Sequence, residues 1–219
     1  MIFRNLDLLS RDPAAFFSIL AALVITLLVG LTLHELTHAS VAHRLGDRTP
    51  QRAGRLTLNP LAHLDPLGTL LLFLAGFGWA KPVPVNPYAM SVTPRLGMAL
   101  TAGAGPLMNL AIAGVSGIPL KMGLVTSGAP ELLLVYMVVI NIILAVFNLI
   151  PLAPLDGFNV ALGVLPPPAS ASFARLAPWG PGILLVVLLI GFVTPFSPIG
   201  TVLDPFLSFF SRAFTGTEL

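Results

Sequence analysis

The sequence predicts an all-α polytopic membrane protein: a three-helix core, flanking helices, and a short re-entrant or β-hairpin element between the first and second core helices. Two observations carry this fold class. Of 219 residues, 56% are hydrophobic and only 9% are charged, and the mean hydropathy of +0.93 lies outside the range of water-soluble domains. Uncharged apolar runs of about 20 residues recur along the chain, the length an α-helix needs to cross a bilayer. A net charge of +2 is too small to suggest a nucleic-acid partner. With no cysteine, disulfides and thiolate metal ligands are excluded.

The first run, Ala14–Leu33, holds 20 uncharged residues, too many for the core of a signal peptide, and no small-residue cleavage site follows it. Asp12-Pro13 ahead of it suits an N-cap followed by proline at the first helical position. Gly46 is placed to close the helix near Leu45. Gly97–Ile118 and Leu132–Ile150 are the second and third core spans. Trp179–Pro195 reads as a fourth span. Ile199–Phe214, interrupted by Asp204-Pro205, reads as an interfacial helix or a final crossing, and Pro166-Pro167-Pro168 as a connector. The expected organisation is one integral-membrane domain over 1–219, with its core at about 14–160 and C-terminal helices at about 179–214.

Leu67–Ala80 is apolar but has only 14 residues, short for a crossing. Arg44, Arg48, Arg52 and Arg55 precede it, and Lys81 and Arg95 follow it. Basic residues favour the cytoplasmic side. Both groups can lie there only if the segment enters the membrane and returns, which irregular backbone tolerates where protein or a wet cavity covers it. The Pro-rich Gly78–Pro87 then reads as an extended return, and the alternating Arg55-Leu56-Thr57-Leu58 as a second short strand.

Chemistry concentrates in LLVGLTLHELTHASVAHRL, Leu27–Leu45. Titratable side chains inside an apolar span are costly and by default functional. His34-Glu35-Leu36-Thr37-His38 is an H-E-x-x-H motif: on a helix, residues i and i+4 share a face, so both imidazoles can reach one metal ion. Glu35 beside them can act as a general base toward water. The competing reading is a buried histidine pair satisfied by hydrogen bonds. A catalytic zinc site needs a third protein ligand. His43 lies off the His34/His38 face, and Glu131 falls in the outer connection, which leaves Asp65 and Asp156. With the short segment re-entrant, the third span brings Asp156 to the depth of His34, and Pro151 and Pro154 break the helix so that the carboxylate can turn inward. Taken alone, Asp156 in Leu-Asp-Gly would be an ordinary turn aspartate.

These residues resemble the site-2 protease family of intramembrane zinc metalloproteases. HELTHASVAHRLGD, Gly105–Leu110 within AGPLMNL, and NLIPLAPLDG look like its three core helices. Asn148, Pro151, Pro154, Asp156 and Gly157 match the third-helix pattern N-x-x-P-x-x-P-x-D-G in order, while Phe158 stands where many members have a second glycine. The likeness covers about residues 20–160, and TLNPLAHLDPLG with GWAKPVPVNP resembles small stand-alone members without an appended regulatory domain. It implies one Zn²⁺ per chain on His34, His38 and Asp156, with Glu35 as general base. Asn148 takes the position proposed to steady the substrate or the oxyanion. The expected partners are a transmembrane protein or peptide substrate and the lipid bilayer of a cell membrane, crossed several times. An edge strand from Gly78–Pro87 could hold unwound substrate by β-addition. Asn109 reads as a packing contact, and His63 and Asp65 as loop residues or partners of the site. The rival classes are a membrane metal or ion transporter, and an inactive scaffold that keeps the motif.

Overall fold

The computed structural model describes residues 6–75 and 78–219. A short α1 (Leu6–Arg11) leads into α2 (Pro13–Arg44). The Asp12 carboxylate accepts from the Ala15 amide at 3.0 Å, capping α2 where the sequence places its start. After Leu45 the chain turns at Gly46, whose φ of 110° lies in the left-handed region that favours glycine. The helix α3 (Thr49–Arg52) and a 3₁₀ turn at Pro60–Ala62 then lead to α4 (Pro66–Ala75).

The ten residues of α4 rise about 15 Å, half a hydrocarbon core. Gly76 and Phe77 lie outside the described residues. The chain is then found beside its own point of departure: Leu64 and Ala80 form an isolated antiparallel bridge, and the Lys81 amide donates to the His63 carbonyl at 2.8 Å. Outgoing and returning arms touch, since a Cβ at Gly68 would lie 2.9 Å from Trp79 Cδ1. The segment doubles back.

The strands expected here do not form. Arg55–Leu58 is a bend, and the return pairs only at Ala80. Pro82, Pro84 and Pro87 have no amide hydrogen, so a ladder started at Ala80 cannot propagate along the return arm.

Beyond a 3₁₀ turn at Pro87–Ala89, α5 (Pro94–Lys121) is capped by the Thr93 side chain. It is followed by α6 (Gly128–Leu149), α7 (Asp156–Val164) and α8 (Pro167–Ala174). The last helices are α9 (Gly180–Val193) and α10 (Pro198–Thr215). Among the described residues, four segments are long and apolar enough to cross a membrane: α2, α5, α6, and the run Pro167–Gly191 in which α8, a 3₁₀ turn and α9 follow one another. The expected interruption at Asp204-Pro205 is absent. Helix α10 runs unbroken for 18 positions, with Pro205 inside it.

Helices α2, α5 and α6 pack together through small residues. Ala39, Ala42, Ala113 and Ala145 are wholly buried, as expected where helices associate in an apolar medium by close backbone approach. One apolar cluster joins Leu23, Leu27 and Ile140. A second joins Ala113, Val138, Ile142 and Val146, covered by Leu203, Leu207, Phe210 and Phe214 of α10. This packing sets the C-terminal part of α2, the first half of α5 and the end of α6 side by side.

Candidate metal centre

The i, i+4 spacing puts both imidazoles of α2 on the face toward α5. Their Nε2 atoms lie 2.9 Å apart. After α6 ends at Leu149, the chain turns through Pro151–Leu155 and Asp156 opens α7. The Oδ2 atom of Asp156 lies 3.1 Å from His34 Nε2 and 3.2 Å from His38 Nε2. The only cis peptide among the described residues, Ala153-Pro154, falls in this turn.

The other ring nitrogens decide the chemistry. His34 Nδ1 faces Asn109 Oδ1 at 2.5 Å, and His38 Nδ1 faces the Thr101 carbonyl at 2.6 Å. Both partners are acceptors, so each Nδ1 carries the proton and each Nε2 presents a lone pair. Two lone pairs and a carboxylate oxygen thus converge in a buried space. Three acceptors facing one another repel unless a cation lies among them, and two imidazoles with one carboxylate are a donor set that suits zinc. His34, His38 and Asp156 are the group of three or more potential ligands found among the described residues, their donor atoms within 4.8 Å of one another. Gly105 leaves room for the rings: a Cβ there would lie 2.6 Å from His38 Cε1 and 2.7 Å from His34 Cε1.

These groups open onto a cavity of about 590 Å³, in the size range of small-ligand pockets. Glu35 and Asn148 line it together with His34, His38 and Asp156. The Nδ2 of Asn148 donates to the Leu144 carbonyl of its own helix at 2.8 Å, and a second N–H remains on that amide. Leu31, Met98, Phe147 and Leu184 make other walls apolar, and Val83 and Val85 of the return arm form one side.

Asp65 is elsewhere. Its carboxylate accepts from the Gly68 amide at 2.8 Å, at the start of α4. His63 is fully buried, with Nε2 donating to the Thr57 carbonyl at 2.8 Å. Two contributors do not read as site residues in the sequence. Asn109, which looks like a packing residue in the sequence, touches His34; its signal is that it lies four residues beyond Gly105, on the same face of α5. Arg55, which reads as a topological charge, is 4% exposed. Its guanidinium donates to the carbonyls of Ala62, Lys81 and Pro82 at 2.8 to 2.9 Å.

A membrane-type helical bundle with an H-E-x-x-H helix, a distant aspartate at the same point and an adjacent glutamate defines a class, that of the metalloproteases. The relatives agree. A Bacillus subtilis (strain 168) protein named "Putative zinc metalloprotease YwhC" is 40% identical over 187 residues, covering 81% of this chain and 83% of that protein. "Putative zinc metalloprotease Rip2" of Mycolicibacterium smegmatis is 29% identical, over 81% of this chain and 70% of that protein. Its Mycobacterium tuberculosis (strain H37Rv) namesake is 29% identical, over 84% and 71%. The chain belongs to the site-2 protease family of zinc metalloproteases, and zinc is the cofactor that this membership implies. No family model matches the chain, and no solved structure does.

Proposed function

We propose that the protein is an intramembrane protease that hydrolyses peptide bonds of transmembrane substrates within the bilayer or near its cytoplasmic side. It acts as one integral-membrane domain over 1–219 in the cell membrane. The observation that carries this reading is the convergence of three metal-type donors on an apolar cavity framed by helices long enough to cross a membrane.

In this reading His34, His38 and Asp156 hold one zinc ion. Bound there, zinc would supply Lewis-acid activation of water and of the scissile carbonyl. Glu35 takes the proton that the attacking water gives up and returns it to the leaving nitrogen as the C–N bond breaks. Asn148 offers its second amide N–H to the developing oxyanion. A helical substrate hides its carbonyls in its own hydrogen bonds, so the segment to be cut must first unwind. The extended Val83–Val85 backbone, whose alternate side chains line the cavity, gives the unwound segment an edge to pair with. A transport reading would call for ionisable groups along the helices. The interior of α5 between Arg95 and Lys121 has no charged residue, and α6 has only Glu131, in its first turn.

Glu35→Gln tests the assignment in liposomes that also hold a model transmembrane substrate. Zinc should stay bound while cleavage falls by at least about 100-fold, the usual scale for losing a general base. Turnover near the wild-type rate would sink the mechanism. Cleavage of water-soluble peptides with transmembrane substrates left intact would sink the intramembrane part alone.

A further inference from the structure

Asn109 and Asn141 are both fully buried, in the interior of a bundle where an unpaired amide is costly. Neither takes part in the proposed chemistry. Their hydrogen bonds form one chain across three helices. Asn141 Nδ2 donates to the Met137 carbonyl at 2.8 Å, so Asn141 Oδ1 is the atom turned toward Asn109. Asn109 Nδ2 donates to that oxygen at 2.8 Å and to the Gly30 carbonyl of α2 at 3.2 Å. Asn109 Oδ1 therefore points the other way, to His34 Nδ1 at 2.5 Å. A backbone carbonyl can only accept. Two carbonyls, Met137 and Gly30, consequently fix the polarity of every bond in the chain. They leave His34 one choice: hydrogen on Nδ1, lone pair on Nε2. Gly30 permits the approach, since a Cβ there would lie 2.8 Å from Asn141 Oδ1.

We infer that Asn109, oriented by Asn141 and Gly30, is a positioning residue that holds the His34 ring in its Nδ1–H form with Nε2 turned to the metal. The inference rests on His34 being a zinc ligand, as proposed above. Hydrogen bonds from ligating histidines to a neighbouring acceptor fix tautomer and ring orientation, and losing them typically costs about 10- to 100-fold in metal affinity. His38 has a backbone carbonyl for this purpose; His34 has an amide side chain, which mutation can reach. The bland alternative is that the amides only hold α2, α5 and α6 together. Variants would then lose stability without losing zinc affinity in the protein that remains folded.

The test measures zinc affinity by competition with a chromophoric chelator, on the full chain purified in mild detergent, with helical circular dichroism as the check on folding. Asn109→Leu, similar in size but without an acceptor, should bind zinc about 10- to 100-fold more weakly and alter the visible absorption of the cobalt-loaded protein. Asn109→Asp keeps an oxygen for Nδ1–H, whether ionised or protonated toward Gly30, and should restore affinity to near wild type. Asn141→Leu should give an intermediate loss. Folded Asn109→Leu with wild-type affinity overturns the proposal, and so does folded Asn109→Asp that binds as weakly as the leucine variant. Should Asn109→Leu fail to fold, wild-type affinity in Asn141→Leu overturns it. His34→Ala separates the two readings. If that variant keeps wild-type affinity, the ligand set is wrong and this inference falls with it; if only His34→Ala loses zinc, the positioning role alone is wrong.

Discussion

Gly105→Ala adds one methyl group where the structure has no room for it. The new Cβ would lie 2.6 Å from His38 Cε1 and 2.7 Å from His34 Cε1, against an ordinary carbon–carbon separation of about 3.5 to 4 Å. Both rings must retreat by about 1 Å, or α5 must move off α2 by as much. A metal site accepts only about 0.2 Å of error in its ligand distances. The rings cannot swing freely either, being held on their Nδ1 sides at 2.5 and 2.6 Å. Overpacking of this kind costs about 1 to 3 kcal/mol, which predicts a zinc dissociation constant raised about 5- to 150-fold. Gly103→Ala is the matched control on the same helix. Its Cβ would meet only Val160 Cγ2, at an unstrained 3.7 Å. There the better helix propensity of alanine should leave stability unchanged or raise it by up to about 1 kcal/mol. Chelator competition and thermal unfolding in detergent read both quantities. If the two variants bind zinc equally well, the ring positions around Gly105 are wrong.

Three more outcomes are expected. Asp156→Ala should lose bound zinc and activity together, whereas Asp65→Ala, which removes only the bond to Gly68, should keep the metal; zinc per protein on the two variants decides, and the reverse result refutes the ligand set. Single cysteines at Arg48 and Asn86, in a chain with none of its own, should be labelled from the same face of the membrane, and labelling from opposite faces would exclude the re-entrant segment. Burial alone would raise the pKa of Asp47, but hydrogen bonds from Thr49 and the Asn86 amide outweigh it and hold the carboxyl below its ordinary value of 3.8. The stability it contributes is therefore complete above about pH 4 and is lost as pH falls through the lower folded-state value. The difference in melting temperature between wild type and Asp47→Asn should be present at pH 7 and shrink only below about pH 4; a difference that fades already between pH 7 and 5 would contradict this.

The helices were legible because each rests on local signals: uncharged length for α2, α5 and α6, and Asp12-Pro13 for the start of α2. The doubling back of Leu67–Ala80 was legible from charge, since basic residues on both of its sides left no other topology. Asp156 could be placed near the histidines because two prolines and a count of crossings constrain where it lands. What escaped is what depends on a partner far along the chain. Arg55 spends its donors on carbonyls, which every residue has, so no residue type in the sequence betrays its partners. Asn109 looked like any asparagine among small residues until α2 and α6 were set beside it. The strand reading of Arg55–Leu58 followed side-chain alternation alone. Alternation shows that a segment can be extended; whether it pairs depends on amide hydrogens opposite it, and the return arm lacks them at three prolines.

Those same prolines make sense of the arm as a cavity wall. A long unpaired edge invites indiscriminate pairing, and Pro82 and Pro84 leave only short stretches of Val83 and Val85 backbone open to it. The wall is nonetheless fixed in place at both ends. Arg55 grips the carbonyls of Lys81 and Pro82 at one end. At the other, the buried Asp47 carboxylate accepts from the Asn86 amide at 2.7 Å and from the Thr49 amide at 2.8 Å. Ser91 is bonded through both its amide and its hydroxyl to the Leu45 carbonyl. All three anchors reach back to the loop that leaves α2 just past His38. The helix bearing the two histidines and the arm that faces them across the cavity are thereby tied into one unit. Loosening Asp47 or Arg55 should then disturb how substrate sits without touching the donors themselves: KM should rise while bound zinc stays at its wild-type level, the opposite of what Asp156→Ala does.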